Sequence, residues 1–132
     1  MDRKAIHDEI RQAFGFVPSF FNLLSDSTLE YEWGLIKAIE MNDKTIPLKY
    51  KHLIGLGASA AIRCQYCTLF HAEMAKVNGA TDKEIEEAAH LAKQTAGWSA
   101  YVHGLRLDYE QFRKEIHKAA EHLKKSTYKK AA

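Results

Sequence analysis

An all-α fold is what this sequence predicts, and three observations carry it. Only two prolines and seven glycines punctuate 132 residues. No Asn-Gly or Asp-Gly pair sits between alternating β-branched runs, so the hairpin signature is missing. Apolar residues recur instead at helical spacing, behind recognisable caps. The pattern reads as about six to seven helices in a single domain over residues 1–126, with a basic tail over 127–132.

The first helix spans about Arg3 to Phe14 with Ile6, Ile10 and Ala13 inward, and stops at Gly15. Pro18 opens a short helical turn from Ser19 to Leu24, whose Phe20, Phe21, Leu23 and Leu24 read as an apolar plug and a place where subunits could meet. Ser27-Thr28-Leu29-Glu30 has the form of a capping box. It starts a helix with Leu29, Trp33, Ile36 and Ile39/Glu40 at the helical period, ending near Asn42. Thr45 and Pro47 open the next, to about Ile62. Its Gly55-Leu56-Gly57-Ala58-Ser59-Ala60-Ala61 run leaves one flank almost free of side chains, so a neighbouring helix can approach closely. A helix from about Cys64 to Asn78 follows, closed by Gly79. Thr81-Asp82-Lys83-Glu84 is a second capping box, opening a helix with Ile85, Ala88, Ala89 and Ala92 inward. A last helical stretch runs from about Ala96 past Phe112 to Lys125, broken near Gly104 or Asp108.

Composition excludes several function classes. With 46% hydrophobic residues the chain can build a real core, and a net charge of +2 is far from the basic excess of a nucleic-acid binder. The longest apolar stretch, Leu53 to Ile62, is about half of what a bilayer span requires, and Met1-Asp2-Arg3-Lys4 leads into no signal-peptide core. A cytoplasmic protein, free of membrane, is therefore expected. Lys124, Lys125, Lys129 and Lys130 read as a solvated tail.

The chemistry concentrates at Cys64-Gln65-Tyr66-Cys67 and His71. Positions i, i+3 and i+7 of one helix fall within about 60° of arc, so the two thiols and the imidazole share a face. These are the chain's two cysteines, and a disulfide between them closes so small a loop that it adds little stability. In a reducing compartment such a pair points to catalysis or metal binding. As a redox pair, one thiolate is favoured by the helix N-terminus, the second thiol resolves the mixed disulfide, and His71 moves the proton. As a metal site, Cys64, Cys67 and His71 supply three ligands and His52 a fourth, suited to zinc or iron, although three ligands crowded on one helix depart from the usual zinc spacing. As a structural feature, both cysteines are small buried residues. His7, His90, His117 and His122 lie among charged helix residues and read as surface. His103, beside Trp98 and Tyr101, reads as packed, and Trp33, Trp98 and the Phe14-Phe16-Phe20-Phe21 group read as core or interface.

Leu48-Lys49-Tyr50-Lys51-His52-Leu53-Ile54, then Cys64-Gln65-Tyr66-Cys67-Thr68-Leu69-Phe70-His71, then the Gly79-Ala80-Thr81 turn, resemble the carboxymuconolactone decarboxylase family. The cysteine pair points to its alkylhydroperoxidase-D-like branch. Phe16-Val17-Pro18-Ser19 and Ala100-Tyr101-Val102-His103-Gly104 extend the likeness over most of the chain. The resemblance implies an all-helical homo-oligomer, a trimer or hexamer, with its site near a subunit boundary and no bound cofactor. It implies thiol peroxidase or disulfide reductase chemistry on a hydroperoxide or disulfide, with a thiol or redox protein as reductant. The decarboxylase activity that names the family does not depend on a cysteine pair.

By the same analogy Cys67 attacks and Cys64 resolves, whereas the helix-terminus argument gives the opposite order. His71 would accept and return the proton, His52 would relay it, and Tyr66 would wall the pocket or donate to a sulfur. Two departures stand out. His52 occupies the place of a family glutamate, and Tyr66 that of a histidine found in many alkylhydroperoxidase-D proteins. The alternative reading is a helical oligomer that senses redox state, or holds a metal at His52, Cys64, Cys67 and His71, without turnover.

Overall fold

In the computed structural model, which describes residues 1–126, six α-helices follow one another, and no strand occurs among the described residues. They are α1 (Arg3–Phe14), α2 (Asp26–Leu35), α3 (Leu48–Ala61), α4 (Gln65–Val77), α5 (Asp82–Gly104) and α6 (Tyr109–Lys125). A 3-10 helix, Ser19–Leu23, precedes α2, and a π-helix, Ile36–Glu40, extends it. The basic tail lies outside the described residues. Two compact units result, Met1–Ala92 and the residues from Lys93 onward.

The first unit is built around an apolar cluster of Ile6, Ile10, Phe21, Leu29 and Trp33. Phe21 meets Trp33 edge-on at 5.7 Å between ring centroids, an arrangement aromatic rings favour. Polar ties close the same seam. Trp33 Nε1 donates to Glu9 at 2.8 Å, and Lys37 pairs with the same carboxylate at 2.6 Å. α1 starts where the Asp2 carboxylate accepts the Ala5 N–H and stops at Gly15, whose φ of +82° a residue with a Cβ rarely adopts.

Several expectations are corrected here. Ala13 is exposed rather than inward, and of the presumed plug Phe21 alone is fully buried, with Leu24 partly so; Phe20 and Leu23 face solvent. The cap of α2 is Ser25, not Ser27, because the helix begins two residues earlier. No break separates Ala92 from Ala96: α5 runs unbroken to Gly104, and Ala89 is exposed. His103 is exposed rather than packed, its Nδ1 within 2.7 Å of the Ser99 carbonyl. His7 is half-buried instead of lying at the surface, and its Nε2 is buried without a partner. Phe16 and Trp98 are exposed in the chain.

α3 packs along α4, and the junction between them is as short as helical geometry allows. Arg63 takes a left-handed conformation with φ of +58°. The Arg63 N–H bonds the Ala60 carbonyl at 3.2 Å and the Cys64 N–H bonds the Ser59 carbonyl at 2.9 Å, the pair of bonds that defines a Schellman ending. Cys64 then serves as N-cap of α4. The Thr81 capping box is formed: Glu84 N–H bonds Thr81 Oγ1 at 3.1 Å and Thr81 N–H bonds the Glu84 carboxylate at 2.8 Å. Lys49 reaches that carboxylate at 2.8 Å and ties α3 to the start of α5. Asn78-Gly79, a pair that would mark a hairpin between strands, here ends α4, with Gly79 at φ of +90°.

Candidate thiol site

Because Cys64 both ends the α3 turn and caps α4, its sulfur is fixed from two directions. The Cys64 Sγ accepts the Cys67 N–H at 3.2 Å and lies 2.6 Å from the Cys67 Sγ. Both cysteines are free and half-buried. Bonded sulfurs stand about 2.05 Å apart, so joining these two needs a movement of only about half an ångström. The two thiols are not equivalent. Contact with Cys67, reinforced by the Cys67 N–H, pulls the Cys64 pKa below its usual value, while contact with Cys64 and burial push Cys67 above it. Cys64 is the favoured thiolate and Cys67 the favoured thiol.

One turn past Cys67, His71 lies flat against α3. A Cβ placed on Gly55 would come within 2.5–2.6 Å of three atoms of the imidazole, so the ring occupies the space a side chain would fill. The small-residue flank of α3 thus admits the His71 imidazole as well as a helix. His71 Nδ1 meets His52 Nδ1 at 3.1 Å, and Phe70 stands edge-on to both rings. At that distance one nitrogen carries a hydrogen and the other a lone pair. His52 is 4% exposed, deeper than the half-buried face expected of it. Burial, then the neighbouring His71, lower the His52 pKa; burial lowers that of His71. Both imidazoles are therefore held neutral near pH 7, and His71 is available to accept a proton.

Of the expected site residues, the structure brings Cys64 to Cys67 and His52 to His71. Tyr66 is 79% exposed. Among the described residues, no group of three or more His, Cys, Asp or Glu side chains is placed to hold a metal. Glu40, at the end of the π-helix, is half-buried, and its charge works to raise the proton affinity of His71 and of Cys67. The signal in the sequence is an acid at the next inward position of the Leu29, Trp33, Ile36 stripe.

An all-helical scaffold that presents two adjoining thiols at a helix N-terminus defines a class of helical dithiol proteins. Residues 23–110 match the model of the carboxymuconolactone decarboxylase family, and the chain belongs to that family. The fold is that of the crystal structure of the alkylhydroperoxidase AhpD core from Rhodospirillum rubrum, with a TM-score of 0.73 at 24% identity, over 83% of this chain and 84% of that one. No curated protein matches the sequence. Among the described residues no helix is long and apolar enough to cross a membrane.

Proposed function

We propose that the protein is a thiol-dependent oxidoreductase that cycles Cys64 and Cys67 between dithiol and disulfide. The observation that carries the reading is the contact of the two sulfurs at the α4 N-terminus, with their proton affinities set apart. Family membership and the alkylhydroperoxidase-like fold are consistent with it.

With a hydroperoxide as substrate, the Cys64 thiolate attacks one peroxide oxygen, an S–O bond forms and the O–O bond breaks. The leaving alkoxide takes the proton that His71 had accepted from the Cys64 thiol, and departs as an alcohol. Cys67 then gives its proton to His71 and attacks the Cys64 sulfenic sulfur. The S–S bond forms and hydroxide leaves as water with that proton. The two electrons come from the thiols, and an external thiol or redox protein restores them. With a disulfide substrate the same thiolate opens the S–S bond by exchange. Helix-terminus chemistry thus supports Cys64 as the attacking sulfur over the order implied by family analogy.

Self-association belongs to the same proposal, as a trimer or hexamer. On α6, Phe112, Ile116 and Leu123 are exposed along one face, and no residue from Lys93 to Ser126 is fully buried. A second copy is the cover proposed for this face.

The test begins with reduced, chelator-treated protein and one equivalent of an organic hydroperoxide, followed by alkylation and intact-mass measurement. Loss of two hydrogens and of both alkylation sites is expected. Cys64→Ser and Cys67→Ser should each abolish turnover with the helical content unchanged; two thiols still free after peroxide and after a small disulfide would defeat the reading. One round of oxidation without steady turnover under a thiol donor would make the pair a sensor.

A further inference from the structure

Asn78-Gly79 closes α4, and it is the one place in the chain where an asparagine precedes a glycine; Asn22 precedes Leu23 and Asn42 precedes Asp43. That pair carries a reaction of its own. The Gly79 backbone nitrogen, once its proton has gone to hydroxide, can attack the side-chain amide carbon of Asn78. A C–N bond forms, the bond to Nδ2 breaks, and ammonia leaves with a proton taken from water. Water then opens the five-membered imide at either carbonyl and yields aspartate or the β-linked isoaspartate. Glycine favours the step because it puts no Cβ beside the attacking nitrogen and leaves the backbone free to turn.

The folded chain withholds each part of that step. Gly79 N–H donates to the Lys76 carbonyl at 3.0 Å and Ala80 N–H to the Ala75 carbonyl at 2.9 Å, the two bonds of a Schellman ending, so the attacking nitrogen is engaged. The leaving group is held as well, since Asn78 Nδ2 donates to the Met74 carbonyl at 2.8 Å. Asn78 has ψ of 17°, which swings the Gly79 nitrogen towards the backbone nitrogen of Asn78 and away from its Cβ, and the imide ring cannot close from there. We propose that Asn78 is a deamidation site which the Schellman ending of α4 keeps chemically silent, so that its modification marks molecules in which this end of the helix has opened. The proposal is independent of the dithiol cycle. Once made, the mark does not reverse on reclosing. Aspartate at position 78 removes the side-chain donor from the Met74 carbonyl and sets a negative charge at the negative end of α4. Isoaspartate inserts a methylene into the backbone, and the Gly79 and Ala80 N–H groups lose register with their carbonyls.

The test incubates the full chain in buffer and in urea at the same mildly alkaline pH, then digests it and reads each asparagine peptide by mass, since replacing NH2 by OH makes the peptide heavier; chromatography separates the isoaspartyl from the aspartyl form. In urea Asn78 should be modified ahead of Asn22 and Asn42. In buffer the Asn78 rate should be at least about tenfold lower, because a reaction that waits for opening follows the population of the open form. Lys76→Gly weakens the last turn of α4 at an exposed position without touching the reacting pair. It should speed the reaction in buffer about fivefold, in line with the lower helix propensity of glycine, and leave the rate in urea unchanged. Equal rates in buffer and urea overturn the lock, and first modification at Asn22 or Asn42 in urea overturns the assignment to Asn78. A Lys76→Gly protein of wild-type helicity that reacts no faster in buffer overturns the opening of this helix end as the route.

Discussion

Gly55 shows how a missing side chain can seat a neighbouring ring, here that of His71, the proton carrier of the proposed cycle. Glycine inside a helix costs about 1 kcal/mol relative to alanine, so its presence in α3 calls for a reason, and the reason is the His71 ring lying against it. Gly55→Ala would drive a methyl group into that ring, and an imidazole at the end of its side chain can swing away. The expected outcome is therefore small in stability, within about 1 kcal/mol of wild type, since the gain in helix propensity offsets part of the crowding. Turnover should fall by at least about tenfold, because a misplaced general acid–base group forfeits much of a contribution that commonly reaches 10²–10⁴. Paired thermal melts and peroxide kinetics check both halves; a loss of stability with unchanged turnover would remove His71 from the chemistry.

At the scale of elements, the α3–α4 junction couples backbone geometry to reactivity. A Schellman ending calls for a left-handed residue, usually glycine, and here the position is Arg63. A residue with a Cβ pays about 1 kcal/mol there. Arg63→Gly should stabilise the protein by about 0.5–1 kcal/mol in denaturant titrations while leaving the Cys64 cap and thiol reactivity unchanged. Destabilisation would mean that the Arg63 side chain contributes more than its backbone strain removes. The same ending recurs after α5, where Arg106 has φ of +54° and the Leu107 N–H bonds the Val102 carbonyl at 3.0 Å. There it leads into Asp108, whose carboxylate caps α6.

For the whole molecule, two consequences follow. The folded-state pKa values of His52 and His71 lie below their ordinary value of 6.5, so the unfolded chain takes up protons more readily. Their contribution to stability is complete above about pH 6.5 and is lost as pH falls through the folded values. Melting temperature should therefore drop as pH goes from 7.5 towards 5, above the range where Asp8, Glu9 and Glu84, all with lowered pKa, begin to protonate. His52→Asn, measured over the same range, should flatten that slope. The second consequence concerns assembly: Phe112→Glu should shift light-scattering mass toward the monomer by placing a charge on the exposed α6 face. An unchanged oligomer would locate the interface elsewhere, for example on the exposed Tyr31, Leu35 and Ile39 of α2 and the π-helix.

Local signals were readable from the chain alone: the span of α1, the Thr81–Glu84 capping box, the Gly79 stop and the shared face of Cys64, Cys67 and His71 all depend on residues within one or two turns. The missed cap at Ser25 has a local cause as well, since three hydroxyl residues, Ser25, Ser27 and Thr28, compete at the start of α2. The meeting of His52 with His71 and the seating of that ring on Gly55 join positions 16 to 19 residues apart, and helical periodicity carries no information across the loop between them. By itself the sequence determined the helices, the adjoining thiols and the family, because hydrogen-bonding patterns and side-chain spacing act locally. Only the tertiary structure decided how the thiols divide one negative charge and which groups attend them, because electrostatic fields and packing depend on distance in space rather than separation along the chain.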